Sequence, residues 1–329
     1  MPWNLSKKQP QGKGKNKMKK VGIVFPGQGS QYVGMGKKLY DMDGDVKTLF
    51  ERADSILGFS LSNLCFNGPE EELRQTYNTQ PAVLLVAYAL WKYLTKAFPV
   101  TPYLIAGHSL GEYTALLTSG YFTFDDAIRI TRTRGLLMEA ACPKGQGGMV
   151  ALIGAQIEII EPVLRSISRD NYVAVPANIN SPEQVVLSGT LDALKEAVEK
   201  LKGTGYKKAV FLNVSGPFHS PLMKHAAEQL KQELDTIPDR DLATPVVYNV
   251  DATPSRDKVE VKEKLYRQMF SPVLWEKSIR RMVDEGVEVF LEVGPQKVLT
   301  NLIKRIVPGT PCVSIESMDD IPAIKDVIV

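Results

Sequence analysis

Tyr103-Leu104-Ile105-Ala106-Gly107-His108-Ser109-Leu110-Gly111 runs from an apolar, strand-like segment directly into a helix-like segment that ends at Gly120. A Gly-x-Ser-x-Gly sequence between a strand and a helix is typical of a nucleophile elbow, a sharp turn that exposes a serine. Its glycines permit strained backbone angles and a close approach of strand and helix, which a β-carbon would obstruct. We therefore predict an α/β fold with Ser109 as the nucleophile.

Strand-like and helix-like segments continue on both sides of this turn. Residues 21–25 form a short apolar strand, and residues 81–98 are predicted to be a buried helix with a proline in its first turn. Residues 125–141 are predicted to form a helix, residues 287–293 a strand, and a last helix begins at Lys297. This alternation favours a hydrolase-like large α/β domain built on a parallel sheet.

A second unit interrupts the large domain. After the glycine-rich break at 144–148, the predicted elements are a strand at 149–153, a helix at 157–168, strands at 172–177 and 184–188, a helix at 191–202 and a strand at 209–213. The order βαββαβ is typical of a ferredoxin-like domain. We predict a large domain over 20–146 and 214–329, a ferredoxin-like subdomain over 147–213, and a binding cleft between them.

The basic character of the chain lies in its N-terminal segment. The net charge is +3, but residues 1–20 contain seven lysines and no acid, which leaves −4 for the remainder. We interpret residues 1–19 as a disordered basic tail rather than an arm that binds nucleic acid or membrane. Translation that starts at Met18 would make the first 17 residues a start-site artefact.

Composition predicts a globular cytoplasmic protein. With 44% hydrophobic residues the chain can bury a sizeable core, and its longest apolar run, 83–91, is far shorter than a membrane span. The N-terminus has no apolar segment of the signal-peptide type. Cys65, Cys142 and Cys312 are scattered singly, which argues against a disulfide framework or a cysteine-rich metal site. We predict no metal.

The loop Pro26-Gly27-Gln28-Gly29-Ser30-Gln31 invites a nucleotide-binding interpretation, which fails. Tyr32 stands where the third glycine of a dinucleotide fingerprint belongs, and no Gly-Lys-Ser/Thr follows. The loop therefore requires another function.

A serine nucleophile needs a base, and the chain contains three histidines. His108 lies inside the elbow, where we expect its side chain to point away from the serine and to pack or hydrogen-bond locally. His225 is predicted to lie on an exposed helix face. His219 lies in a proline-flanked loop where the large domain resumes, so it is the favoured base, with an ordinary loop histidine as the alternative.

Six motifs occur in a fixed order along residues 20–305: Phe25-Pro26-Gly27-Gln28-Gly29-Ser30-Gln31, Gly107-His108-Ser109-Leu110-Gly111-Glu112, the arginine Arg134, Asn178-Ile179-Asn180-Ser181-Pro182, Gly216-Pro217-Phe218-His219-Ser220 and Glu292-Val293-Gly294-Pro295. In this order the chain resembles the malonyl-CoA:acyl-carrier-protein transacylases. The resemblance is to the stand-alone bacterial enzymes of fatty acid synthesis more than to a domain of a polyketide synthase. It implies the same hydrolase-like domain with a ferredoxin-like insertion.

The resemblance also implies roles for the catalytic residues. Ser109 matches the acylated nucleophile and His219 its base, which a backbone carbonyl orients in place of an aspartate. That carbonyl belongs to Gln268. The backbone N–H of Leu110 and the Gln28 loop match the oxyanion hole, which explains the glycine-rich loop without a phosphate.

Three further residues are implied to bind the substrate. Arg134 matches an arginine that holds the malonyl carboxylate through two parallel hydrogen bonds, although by residue pattern alone it would line a solvated helix face with Arg129 and Arg132. Phe218 matches a position where bulk narrows the acyl pocket. Met138 follows Arg134 by one helical turn and either lines the pocket or fills the core.

The activity implied is transfer of malonyl from malonyl-CoA to the phosphopantetheine thiol of holo acyl carrier protein. Malonyl-CoA is then a substrate, no cofactor is needed, and we expect a monomer that binds neither nucleic acid nor membrane. Three alternatives remain open at this point. They are a discrete acyltransferase serving a polyketide synthase in trans, a serine thioesterase or hydrolase, and a non-catalytic carrier-binding subunit.

Overall fold

The computed structural model describes residues 18–143, 145–204 and 206–328. The predicted tail lies outside these residues except at its end. There the backbone N–H of Lys19 donates to the carbonyl of Ile328 at 3.2 Å, which joins the two ends of the described chain. The predicted α/β class is confirmed by two sheets with helices packed against them.

The strands, in chain order, are β1 (Val21–Phe25), β2 (Pro102–Gly107), β3 (Gly147–Ile153), β4 (Ala174–Ser181), β5 (Gln184–Thr190), β6 (Lys208–Phe211), β7 (Val246–Val247), β8 (Pro254–Ser255), β9 (Val289–Val293) and β10 (Cys312–Ile315). The helices are α1 (Lys37–Met42), α2 (Gly44–Leu57), α3 (Leu61–Asn67), α4 (Glu70–Leu73), α5 (Thr76–Ala97), α6 (Leu110–Ser119), α7 (Phe124–Ala140), α8 (Ile157–Ile167), α9 (Leu191–Lys200), α10 (Lys224–Asp235), α11 (Glu260–Gln268), α12 (Trp275–Asp284), α13 (Val298–Ile306) and α14 (Pro322–Ile328).

A mostly parallel sheet forms the centre of the large unit. Its strand order is β10-β9-β1-β2-β7-β8, and every neighbouring pair is parallel except β7 with β8. All five residues of β1 are buried because β1 lies in the middle of the sheet with helices on both faces. The carboxyl ends of β1 and β2 lie side by side, so the glycine-rich loop after β1 and the serine turn after β2 meet at one edge.

The smaller unit is an antiparallel sheet of strand order β4-β5-β3-β6 covered by α8 and α9. This order and the βαββαβ sequence of elements are those of a ferredoxin-like fold. Its core is separate from that of the large unit and is built from residues that include Val150, Leu152, Ile160, Leu187 and Leu194.

The structure differs from the sequence prediction in helix α5 and at the end of the large sheet. Helix α5 begins at Thr76, five residues before the predicted start, so Pro81 lies inside the helix. Proline lacks a backbone N–H, which leaves the carbonyl of Tyr77 without its usual helical donor. Arg132 Nη1 donates to that carbonyl at 2.9 Å and so compensates for the missing bond. The large sheet also continues beyond the predicted last strand into β10, followed by α14.

Backbone hydrogen bonds join the two units beside the serine turn. Ile179 N–H donates to Val273 O at 2.9 Å, and Val273 N–H donates to Ala177 O at 2.8 Å. Strand β4 is therefore bonded to the segment that leads into α12. Among the described helices, none combines the length and the apolar character needed to cross a membrane.

Candidate active site

Ser109 lies at a strained turn between β2 and α6. Its backbone angles are φ 50° and ψ −100°, which a non-glycine residue adopts only when its surroundings enforce them. A β-carbon on Gly107 would lie 1.9 Å from the backbone of Gly111, and one on Gly111 would lie 2.1 Å from Phe25 O. The two glycines are therefore required by the close approach of helix and strand.

Asn249 holds both ends of this turn, and the sequence analysis did not identify it. Its Oδ1 accepts from the Ser109 N–H at 2.8 Å, and its Nδ2 donates to Gly107 O at 2.7 Å. The Asn249 side chain is fully buried, so these bonds do not compete with solvent. We infer that Asn249 stabilises the strained backbone of the serine turn.

Ser109 and His219 form a hydrogen-bonded pair. Ser109 Oγ lies 2.8 Å from His219 Nε2, and His219 Nδ1 lies 2.8 Å from the backbone carbonyl of Gln268. A carbonyl only accepts hydrogen bonds, so Nδ1 carries the proton and Nε2 presents its lone pair to the serine hydroxyl. This arrangement can remove the serine proton and uses a backbone acceptor where many serine enzymes use a carboxylate.

The surroundings keep the imidazole of His219 neutral. Burial, with the nearby Arg134 charge as the next cause, lowers the pKa of His219 to about 3. At neutral pH the ring is therefore unprotonated and able to accept a proton from Ser109. His219 itself has a positive φ of 58°, so both members of the pair lie on strained backbone.

The two expected oxyanion donors are at or near the serine turn. Leu110 begins helix α6, and its N–H has no hydrogen-bond partner within the described part of the chain, as expected for the first turn of a helix. Gln28 Nε2 donates to Thr76 Oγ1 at 3.3 Å. The Gln28 side chain therefore has a partner in this state, and its role as an oxyanion donor stays a prediction.

Arg134 is 1% exposed and lies against the nucleophile. Its Nη2 donates to Ser109 Oγ at 3.1 Å and to Gln268 Oε1 at 2.9 Å, while Nη1 donates to Gln80 Oε1 at 2.8 Å. Burial lowers the pKa of the guanidinium, but an arginine in a protein keeps its charge. Within 18–143, 145–204 and 206–328 it forms no salt bridge, so a buried cation faces only neutral partners.

The other two arginines of α7 lie elsewhere. Arg129 is exposed and faces Asp125 on the same helix at 3.9 Å. Arg132 is stacked against the rings of Phe59 and Tyr77. Only Arg134 of the three contacts the serine, so the alternative that it lines a solvated helix face is wrong.

Phe218 and Met138 are both buried near this site. Phe218 is 5% exposed and precedes His219 directly. Met138 is 2% exposed, and its sulfur accepts from Gln80 Nε2 at 3.3 Å. Met138 thus packs behind the glutamine that contacts Arg134, and contact of either side chain with an acyl group stays a prediction.

His108 has a packed and hydrogen-bonded ring, and one of its partners lies in the small unit. Its Nε2 lies 2.8 Å from Oδ1 of Asn180 in the small unit, and its ring packs edge-on against Trp275. Asn180 reaches the ring across the boundary between the units. His225 lies on an exposed face of α10 with an 84% exposed side chain, as predicted from sequence.

Glu112 is a fully buried carboxyl group beside the site. Its Oε2 accepts from the Asn249 N–H at 2.6 Å, and within the described residues its Oε1 has no hydrogen-bond partner. Burial raises the pKa of Glu112 to about 8, so the carboxyl is largely protonated at neutral pH.

Two clefts between the large and small units meet at Gln28 and Leu212. One has a volume of about 420 Å³ and is lined by residues that include His108, Asn180, Leu299 and Arg305. The other, about 540 Å³, extends past Thr76 and Met149. The Ser109 turn therefore lies beside a cleft with walls from both units, as a site for an extended substrate requires.

Sequence reasoning missed four residues of the site: Gln80, Glu112, Asn180 and Asn249. Glu112 and Asn180 lie inside motifs quoted for the resemblance, so the sequence marked their positions but did not indicate what either residue does. Gln80 and Asn249 act through amide contacts with distant residues, for which sequence spacing gives no signal.

Comparison with known proteins shows the family of this chain and supports the fold described above. The family model described as the acyl transferase domain matches residues 23–320. The malonyl CoA-acyl carrier protein transacylase of Bacillus subtilis (strain 168) is 45% identical over 289 residues, which cover 88% of this chain and 91% of that protein.

Solved structures are similar over the same span. An acyl carrier protein S-malonyltransferase from Vibrio cholerae O1 biovar eltor aligns with a TM-score of 0.90 and 41% identity, covering 93% of this chain and 99% of that one. A malonyl-transacylase solved in complex with its type II PKS acyl-carrier protein aligns with a TM-score of 0.89 and 38% identity, covering 92% and 98%.

Proposed function

The chain belongs to the acyl transferase domain family and transfers malonyl groups to an acyl carrier protein, and from this premise we propose that the reaction runs from malonyl-CoA through a malonyl ester on Ser109. The observation that carries the proposal is the buried guanidinium of Arg134, which donates to the nucleophile at 3.1 Å and has no salt-bridge partner among the described residues. A buried cation without a carboxylate is costly unless a ligand supplies one. The free carboxylate of malonyl-CoA is such a ligand.

In the first half-reaction Ser109 attacks the thioester. The hydroxyl proton moves to His219 Nε2 as Oγ bonds to the thioester carbon, and the carbonyl oxygen becomes an oxyanion beside the Leu110 N–H. When the C–S bond breaks, His219 returns the proton to the coenzyme A thiolate. Arg134 holds the malonyl carboxylate throughout, and the malonyl ester on Ser109 remains.

The second half-reaction reverses these steps with the carrier thiol. His219 accepts the proton of the phosphopantetheine thiol, whose sulfur attacks the ester carbonyl, and then protonates Ser109 Oγ as it leaves. The proposed route uses no metal and no prosthetic group of the enzyme. Arg134 favours this transfer over simple ester hydrolysis as the function, because a general serine hydrolase has no need of a buried carboxylate receptor.

We propose that the enzyme is a monomer and that it acts in the cytoplasm and in fatty acid synthesis. Its three free thiols suit a reducing compartment. One similar enzyme was solved with a polyketide carrier protein, so the pathway is tested by measuring malonyl transfer to carriers of both kinds. Faster transfer to the polyketide carrier would overturn the assignment to fatty acid synthesis while leaving the chemistry intact.

The ester is tested by intact-mass spectrometry of the enzyme incubated with malonyl-CoA and no carrier. We expect one malonyl adduct on the wild type, none on Ser109→Ala, and acylation slowed by about 10² to 10⁴ in His219→Ala. Ser119→Ala is a matched control, because Ser119 lies buried at the other end of α6, where its hydroxyl donates to Thr244 O and accepts from the Thr244 N–H. An adduct that persists in Ser109→Ala would show that another residue is the nucleophile.

A further inference from the structure

The guanidinium of Arg134, which we call the carboxylate receptor, is hydrogen-bonded by the neutral amides of two glutamines. Gln80 on α5 and Gln268 on α11 each accept one hydrogen bond from the Arg134 guanidinium, at 2.8 and 2.9 Å. Both glutamines are fully buried. Acceptors from two helices fix the plane of the guanidinium, since its donors form a rigid fork.

Each glutamine amide is itself held in place. Gln80 Nε2 donates to the sulfur of Met138, and Gln268 Nε2 donates to Ser109 O at 3.0 Å. With their amide nitrogens engaged in this way, both glutamines present oxygen to the guanidinium. The orientation of Arg134 is therefore set by side chains that carry no charge.

Among the described residues, Glu112 is the carboxyl group that lies close enough to affect the charge of Arg134. It forms neither a salt bridge nor a hydrogen bond with Arg134 within the residues described. It accepts instead from the Asn249 N–H, and burial favours its neutral form. Within the described residues, the guanidinium therefore has neutral hydrogen-bond acceptors and no salt-bridge partner.

We propose that Gln80 is a specificity-determining positioning residue, which with Gln268 aligns Arg134 for the substrate carboxylate while leaving the arginine charge free. The inference rests on the proposed function. A glutamate in the place of Gln80 would have nearly the same shape but would supply the carboxylate that the substrate now supplies. Selectivity for malonyl over acetyl then depends on an amide that does not touch the acyl group.

The test uses Gln80→Glu and compares kcat/KM for malonyl-CoA and acetyl-CoA. We expect the malonyl-to-acetyl ratio to fall by about 10- to 100-fold, mostly through a raised KM for malonyl-CoA. Reaction of Ser109 with a neutral serine-directed sulfonyl fluoride is expected to change much less than this ratio, because that probe carries no carboxylate for Arg134 to bind. A general loss of packing would instead slow both substrates and the probe together.

Asn78→Asp is the matched control. Like Gln80, Asn78 has a side-chain amide that accepts a hydrogen bond from an arginine on α7, and the substitution turns this amide into a carboxylate. The arginine in this case is Arg132, which lies away from the serine. We expect Asn78→Asp to keep the wild-type ratio. An equal fall in both variants would show that the ratio responds to any added charge on α5, and would overturn the proposal.

Gln80→Met removes the acceptor without adding a charge, and serves also if Gln80→Glu does not fold. We expect a smaller fall in the ratio than for Gln80→Glu. If the wild type forms the malonyl adduct, either of two results overturns this inference and leaves the proposed function intact. One is an unchanged malonyl-to-acetyl ratio in Gln80→Met, and the other is a Gln80→Glu enzyme that retains its malonyl preference. A wild type that forms no adduct and transfers no malonyl contradicts both this inference and the proposed function.

Discussion

Arg134 is the residue that separates malonyl transfer from general serine chemistry. In the wild type its guanidinium attracts a carboxylate and would be left unpaired opposite the methyl group of an acetyl thioester. Arg134→Ala removes both effects, so we expect malonyl transfer to fall and relative activity on acetyl-CoA to rise. Truncating one partner of a buried charge pair costs about 3 to 5 kcal/mol, or roughly two to three and a half decades in relative kcat/KM.

Arg129→Ala is the control for this measurement, because Arg129 lies on the same helix but is exposed. Arg134→Lys is expected to recover only part of the preference, since an ammonium has the charge without the planar fork. If kcat/KM for malonyl-CoA and acetyl-CoA keep their wild-type ratio in Arg134→Ala, another residue binds the carboxylate.

Glu112 makes the stability of the protein depend on pH. Burial raises its pKa from 4.5 to about 8, so between these values the native state binds a proton that the unfolded chain has lost. This contribution to stability is complete below about pH 4.5 and is lost as the pH rises through about 8. We expect Glu112→Gln, which resembles the protonated acid, to be more stable than the wild type above that pH by roughly 2 to 5 kcal/mol.

Urea denaturation at about pH 6 and about pH 9 measures this difference. Glu263→Gln, an exposed change on α11, controls for the loss of one carboxylate. Malonyl selectivity is expected to survive in Glu112→Gln at neutral pH, because the wild-type carboxyl is already largely neutral there. A stability gain that is the same at both pH values would contradict a titrating Glu112.

At the scale of elements, the sequence predicted those strands and helices that are determined by local residue patterns. The apolar run 21–25 coincides with β1, and the strands and helices of the small unit occur in the predicted order. The two-residue strand β7 and the half-buried β10 gave no such signal, because their pairing depends on neighbours distant in sequence. The elbow motif proposed Ser109, the loop context favoured His219 and the resemblance implied Arg134, and the structure brings these three side chains into contact.

Helix α5 shows why the rest of the site could not be predicted. A proline normally limits a helix to the residues that follow it, yet α5 starts at Thr76 because Arg132 bonds the carbonyl that Pro81 leaves free. A β-carbon on Gly135 would lie 2.5 Å from the Cα of Tyr77, so α7 approaches α5 very closely at this point. That approach brings Gln80 to Arg134, and it follows from packing rather than from any spacing in the sequence.

At the scale of the whole molecule, the cleft depends on how the small unit is held against the large one. Besides the backbone bonds of β4 to Val273, the His108–Asn180 hydrogen bond ties the serine turn to the small sheet. His108 also packs on Trp275, so its ring is fixed from both sides. The serine turn and one wall of the cleft are therefore joined by a direct side-chain hydrogen bond.

Asn180→Ala breaks this tie and leaves the His108 ring without its acceptor. We expect the free energy of unfolding to fall by about 1 to 3 kcal/mol. We also expect the KM for malonyl-CoA to rise severalfold with a smaller change in kcat, because the cleft wall loosens while Ser109 and His219 keep their contact. Asn178→Ala is the control, since Asn178 lines the same cleft from the same strand but has no side-chain hydrogen bond within the described residues. Steady-state kinetics of both variants, with sulfonyl fluoride labelling of Ser109 as the measure of the intact pair, distinguish the two roles. Equal increases in KM would mean that the two amides act by contacting the substrate, and the tie between the units would then have no part in shaping the cleft.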